Sequence, residues 1–306
     1  MKPSTRTPAR MMFDLDARGA ALLEWIPLLV LPAAAIACRS RIAPWGFMWI
    51  LSIAIFFGCK WQAWWGQRNI AGASIGRNLG FLFAWPGMDA ASFLDPNRRS
   101  APIEQKEWLW AAAKTACGAA LLWGAARRAN IAPSLLTGWA GMVGMILILH
   151  FGTFHLLSLV WRSAGVDAPP IMQSPLSATS LSDFWGRRWN LGFRQLTHRL
   201  IFTPARARLG GPAAILLSFL ASGVIHDLVI SLPARGGYGL PTLYFLIQGA
   251  GVLIERSRAG AACGLRSGLR GRLFALVCAG APAYLLFHPL FVHRVILPFL
   301  AFLGQK

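Results

Sequence analysis

The chain alternates between long apolar runs and short clusters rich in arginine, glycine and proline. Apolar stretches cover residues 20–38, 43–59, 107–126, 138–161, 211–232, 239–255, 271–287 and 289–303. Each comes close to the ~20 residues a helix needs to cross a ~30 Å hydrocarbon core. Trp25, Trp45, Trp61, Trp108, Trp139 and Trp161 sit near the ends of these runs, where an aromatic belt belongs. The pattern predicts an all-α polytopic membrane helix bundle of about eight transmembrane helices, with residues 1–306 forming one integral-membrane domain.

Two stretches between the runs carry a helical period of their own. Residues 60–85 mix Trp61, Trp64, Trp65, Ile70, Ile75, Leu79, Phe81 and Phe83 with Lys60, Arg68 and Arg77. Within 181–202, the residues Trp185, Trp189, Phe193, Leu196 and Leu200 recur at steps of three or four, with Phe184 beside the first, which predicts one apolar helical face. Both stretches read as helices that lie in the interface or dip into the bundle. No internal repeat occurs, so the inverted-repeat architecture of many transporters has no support.

Composition sharpens this picture. Hydrophobic residues make up 56% of the chain and charged residues only 13%, against about 25% charged in a soluble domain. Mean hydropathy is +0.51. The net charge of +19 would point to nucleic acid in a soluble protein. Here the cations cluster between apolar runs, so membrane topology and anionic headgroups account for them and no nucleic-acid partner is expected. With the N-terminus in the cytoplasm, 23 of the 30 Lys and Arg fall on the cytoplasmic side. Only Arg39, Arg41, Arg127, Arg128 and Arg235 fall on the other, and Lys114 and Arg294 lie within runs. That bias predicts that both termini are cytoplasmic.

The first run ends Ala35-Ile36-Ala37-Cys38, which has the small residues of a signal cleavage site. Glu24, Pro27 and Pro32 interrupt it and more runs follow, so a retained span is expected. Arg- and Ala-rich usage favours a bacterial inner membrane, with the endoplasmic reticulum as the eukaryotic counterpart. The five cysteines have no metal or disulfide spacing. There is no HExxH, Walker loop or G-x-S-x-G elbow, so no metal, nucleotide-driven pump or serine nucleophile is expected.

Candidate chemistry concentrates in Ser180-Leu181-Ser182-Asp183-Phe184-Trp185-Gly186-Arg187-Arg188-Trp189-Asn190 and in Ser222-Gly223-Val224-Ile225-His226-Asp227. His226 falls inside an apolar run. An ionisable group there is costly, which makes it a functional candidate, although a histidine bonded to a neighbouring helix is the plainer reading. Asn190 offers two donors and an acceptor, suited to an oxyanion or to a helix cap. Arg187 and Arg188 suit either headgroups or the phosphates of a cofactor. Trp185 and Trp189 suit either the wall of an acyl tunnel or the membrane interface. Asp227 follows His226 directly, and neighbours on a helix do not share a face, so it is not expected to orient the ring.

Taken together, these two segments, with Trp-Pro-Gly-Met-Asp at 85–89, resemble the membrane-bound O-acyltransferase superfamily and its wax synthase-like branch in bacteria. The resemblance covers roughly residues 80–95 and 180–230. The chain is short for the superfamily, which argues against its longer polysaccharide-acetylating members. The branch usually has Glu after the histidine, where this chain has Asp227. The resemblance implies transfer of a long-chain acyl group from acyl-CoA to a lipophilic alcohol, with His226 as general base and Asn190 as oxyanion donor. It implies acyl-CoA as co-substrate, no permanently bound cofactor, and Arg187, Arg188, Trp185 and Trp189 as the groups that hold it. Membrane lipids are the remaining partners. A lipid transporter or flippase is the alternative class, and a sterol, diacylglycerol or other hydroxylated lipid the alternative acceptor.

Overall fold

The computed structural model describes residues 8–305, with side chains from residue 22 onward. Lys2, Arg6 and Lys306 lie outside the described residues, and the side chains of Arg10 and Arg18 are not described. Among the described residues there is no strand. The main helices are α1 (Pro8–Ala37), α2 (Pro44–Trp65), α3 (Ile75–Ala84), α4 (Ala90–Leu94) and α5 (Gln105–Ile131). They continue as α6 (Leu135–Ser163), a short α7 (Leu181–Asp183), α8 (Leu191–Ala234), α9 (Leu240–Arg256), α10 (Gly268–Leu286) and α11 (Pro289–Leu303). α8 is kinked at Gly210, whose backbone is non-helical (φ 83°, ψ 172°), so its two parts are separate helical segments.

Local chemistry sets the ends of these helices. Pro44, Pro241 and Pro289 stand in first turns, where a missing N–H costs nothing. Ser134 caps α6 through the Thr137 N–H, and Glu104 and Glu107 form a reciprocal capping box on α5. Single π-helical turns interrupt α6 at Leu147–Thr153, α8 at His198–Phe202 and Asp227–Ser231, and α11 at Val292–Ile296. Such turns are frequent at functional sites, and one begins directly after His226.

Every apolar run expected to span is a helix. Four of them, α2, α6, α8 and α10, are long and apolar enough to cross a membrane by length and composition. The other four fall short for separate reasons. In α5 the charges Lys106, Glu107, Lys114, Arg127 and Arg128 dilute the apolar content. α9 has 17 residues, about 26 Å at ~1.5 Å per residue. The apolar parts of α1 (Leu22–Ala37) and α11 (Pro289–Leu303) are of similar length.

α1 packs on α2, α5 on α6 and α11, and α8 on α9. Glycine permits the closest approaches. A Cβ on Gly144 of α6 would stand 2.7 Å from the Leu122 backbone nitrogen of α5. One on Gly223 would stand 2.6 Å from Thr242 Cα, so bare backbone lets α9 approach α8 one turn before His226. One buried cluster gathers Leu51, Phe81, Phe93 and Leu94, and a second gathers Tyr244, Phe245, Val292, Ile296 and Leu300. Outward-facing Leu29, Ile53, Phe83, Leu136 and Val277 are more than half exposed, as a lipid-facing surface requires. This is a membrane protein built as a helix bundle.

The apolar face expected to run unbroken through 181–202 is interrupted. α7 passes into a π-helical turn at Phe184–Arg188, Trp189 is extended, and Asn190 is left-handed (φ 44°, ψ 60°) before α8 begins. The expected helix is therefore two helices meeting at Asn190. Its short polar side chain tolerates that backbone and caps the second helix. Residues 60–85 likewise divide into the end of α2, a turn, and α3.

Candidate active site

A cavity of about 320 Å³ opens where α7, α8 and α9 meet. Trp185 and Trp189 line it from the α7 side, and Asn190, Phe193 and Arg194 from the start of α8. Ser218, Phe219, Ser222 and His226 line it from the later part of α8, and Phe245, Val252 and Arg256 from α9. Four of the six residues singled out from the sequence thus share one wall system. Arg187 and Arg188 are not among its lining.

His226 is held by its own helix. Its Nδ1 lies 2.7 Å from the Ser222 carbonyl oxygen, which can only accept, so Nδ1 carries the proton and Nε2 presents a lone pair. No hydrogen bond among the described residues occupies Nε2. The imidazole packs against the Phe245 ring with centroids 4.5 Å apart.

Asn190 is set by the break in the chain. Its Oδ1 accepts from the Phe193 N–H at 3.3 Å, and its backbone N–H donates to Met172 Sδ at 3.2 Å. The cap uses the acceptor and leaves both Nδ2 donors without a partner among the described residues. Behind this turn lies the Trp85–Asp89 stretch. A Cβ on Gly192 would stand 3.3 Å from Gly87 Cα and the Met88 nitrogen, so that backbone lies directly against the start of α8. Asp89 caps α4 through the Ser92 N–H and accepts from Gln195 of α8. Lys60, fully buried, donates to the Gly87 carbonyl and stands 3.4 Å over the Phe81 ring.

The tryptophans are fixed as well as placed. Trp185 Nε1 donates to Gln248 Oε1 at 3.2 Å, and the fully buried Gln248 donates in turn to the Cys278 carbonyl at 2.8 Å. Trp189 stacks with Phe184 at 5.6 Å and lies near-parallel to His150 at 6.4 Å.

Arg187 and Arg188 both turn to Asp183, at 3.0 and 2.6 Å. Burial pushes the Asp183 carboxyl up. The hydrogen bonds from Arg188 and the Thr179 N–H, with the charges of both arginines, outweigh this and hold it below the usual carboxylate range. Arg188 also donates to the carbonyls of Gln173 and Ser174, whereas Arg187 leaves its side chain 78% exposed.

The arginines that do line the cavity are Arg194 and Arg256, and Arg256 donates to Ser182 Oγ at 3.0 Å. Arg194, four residues past Asn190, was within reach of helical spacing. Arg256 and Phe245 were not, because they come from a helix well downstream in the chain.

Asp227 makes no hydrogen bond to the imidazole among the described residues and instead fastens α9. Its Oδ1 accepts from Ser231 Oγ and the Gly239 N–H, both at 2.8 Å. Its Oδ2 accepts from the Thr242 N–H at 3.1 Å and from Thr242 Oγ1. The residue after the histidine therefore anchors the helix that supplies Phe245 and Arg256.

Residues 168–247 match the model of the membrane bound O-acyl transferase family. A probable long-chain-alcohol O-fatty-acyltransferase of Arabidopsis thaliana is 31% identical over 129 residues, which cover 36% of this chain and 38% of that protein. A second from the same plant is 35% identical over 103 residues, 30% of each chain. The long-chain-alcohol O-fatty-acyltransferase of Simmondsia chinensis is 30% identical over 129 residues, 37% of each. The match thus spans 30–38% of the length of these relatives. The segment that carries both Asn190 and His226 is the part of the chain that resembles the membrane bound O-acyl transferase family, and the relatives it is similar to are long-chain-alcohol O-fatty-acyltransferases.

Proposed function

We propose that the chain is a membrane O-acyltransferase that moves a long-chain acyl group from acyl-CoA to the hydroxyl of a lipophilic alcohol. The observation that carries this reading is one cavity, lined mostly by the segment that matches the family, with an imidazole whose Nε2 is unpaired and an amide whose Nδ2 donors are unpaired among the described residues. A thioester is already activated, so no covalent enzyme intermediate and no permanent cofactor are needed. His226 Nε2 takes the alcohol proton as the alcohol oxygen bonds to the thioester carbon. Asn190 Nδ2 donates to the resulting oxyanion. The carbon–sulfur bond then breaks, and the proton passes from Nε2 to the departing thiolate. Ester and free CoA thiol leave.

Trp185, Trp189, Phe219 and Phe245 supply an apolar sleeve for the acyl chain and keep water from the thioester. Arg194 and Arg256, with Arg187 and Arg188 nearby, supply cations for the CoA phosphates. We place eight crossings in one integral-membrane domain, with both termini and this arginine-rich end in the cytoplasm of a bacterial cell.

The test is ester formation by the purified full chain in detergent. Labelled palmitoyl-CoA is offered with hexadecanol, a sterol, diacylglycerol or a small sugar, with His226→Ala beside wild type. Hexadecyl ester made by wild type and reduced at least ~100-fold in the folded variant is the expected result. Equal rates in both would remove His226 from catalysis, and failure to bind acyl-CoA would favour the transporter reading.

A further inference from the structure

A second cavity, of about 440 Å³, lies at the opposite end of the same helices. It forms where the turn between α1 and α2 meets the turn between α8 and α9. α9 begins beside it and ends at Arg256 in the first cavity. The nearest lining residues of the two cavities along α8, His226 and Leu232, are six residues apart, about 9 Å, while Arg256 in the first cavity lies the full 17-residue length of α9, about 26 Å, from the second.

Its lining is two-faced. Arg39, Ser40, Arg235 and Tyr238 form an exposed polar rim, and buried Phe47 and Pro233 form an apolar floor. The described lining contains no carboxylate. Neither guanidinium has a hydrogen-bond or ion-pair partner among the described residues. Only five cations were assigned to this end of the bundle from the sequence, and two of them converge here.

The turn that carries Arg235 is unusual in its backbone. Arg235 is left-handed (φ 50°), a conformation that costs a non-glycine residue free energy. It is held there by Arg294 Nη1, which donates to the Ala234 and Arg235 carbonyls at 3.0 and 3.1 Å. One arginine thus clamps the backbone while the other is left to face the cavity.

We propose that this cavity binds the phosphate-bearing headgroup of an anionic phospholipid in the leaflet at the end of the bundle opposite the arginine-rich 181–202 segment. Two guanidiniums and two hydroxyls match phosphate oxygens. The apolar floor and the size of the cavity, well beyond one phosphate ion, match the glycerol and first methylenes of a lipid. The site does not depend on the acyltransfer reading.

The test measures the thermal shift of the detergent-solubilised full chain with added phosphatidylglycerol, phosphatidylcholine or inorganic phosphate. Phosphatidylglycerol is expected to stabilise wild type more than phosphatidylcholine does. In Arg39→Gln/Arg235→Gln its half-saturating concentration is expected to rise about 25-fold, roughly fivefold for each lost cation. Arg39→Lys/Arg235→Lys keeps the charges and should restore most of the effect. Arg127→Gln/Arg128→Gln removes two cations assigned to the same end but outside the cavity, and should leave the effect intact. An equal response in the Arg39/Arg235 variant, or an equal loss in the Arg127/Arg128 variant, would overturn the site. A shift of the same size from inorganic phosphate would overturn the lipid assignment. If the double Gln variant does not fold, Arg39→Gln and Arg235→Gln are scored singly against the same criteria.

Discussion

Asn190 has one observed duty, the cap, and one proposed, the oxyanion, and point substitutions can separate them. Its left-handed backbone and Oδ1 cap start α8, while its Nδ2 donors remain for the cavity. Asn190→Gly tolerates the backbone and costs only a few tenths of a kcal/mol as a cap. Asn190→Asp keeps an acceptor for the Phe193 N–H but has no amide donor. Both variants should fold, and both should lose about 100- to 1,000-fold in kcat if Nδ2 holds the oxyanion. Wild-type kcat in either would restrict Asn190 to capping. The amide was legible in the sequence because it stands in a dense aromatic and arginine motif. Its division between cap and cavity was not, since periodicity in 181–202 suggested one continuous helix where the chain reverses its backbone sign.

The junction of α8 and α9 shows how one helix positions the working side of another. Gly223 lets the two backbones approach, and Asp227 ties the first turn of α9. Asp227→Ala leaves the N–H groups of Gly239 and Thr242 without their acceptor. The expected loss is about 1–3 kcal/mol of stability, the cost of one unsatisfied group at the half-buried Thr242, since the exposed Gly239 N–H can turn to solvent. Ester synthesis should fall with it as Phe245 and Arg256 drift. Asp227→Glu, with the same carboxylate, should recover much of both. An unchanged melting temperature in Asp227→Ala would show that other contacts anchor α9. Helical geometry set Asp227 apart from the imidazole in the sequence, and the hydrogen bond of Nδ1 goes to Ser222. Its actual targets lie 12 and 15 residues further on, across a turn whose course no periodicity encodes.

Across the whole molecule, charge asymmetry and helix count must agree. The 23-to-5 distribution of cations requires an even number of crossings if both ends face the cytoplasm. A green fluorescent protein fused to the C-terminus should fluoresce in bacterial cells, and alkaline phosphatase fused there should be inactive. The reverse would mean an odd number, with one of the shorter helices, α1, α9 or α11, lying in the interface. Apolar run length, basic clusters and the His226 and Asn190 motifs were readable along the chain, because desolvation in lipid and helical spacing are local or additive properties of sequence. Which arginines line the first cavity, what Asp227 fastens, and how Arg39 and Arg235 come to line the second depend on helices distant in the chain packing side by side. Those pairings arise from glycine seams, caps and reversed backbone at single residues, where small differences in contact energy set the geometry and leave no periodic trace.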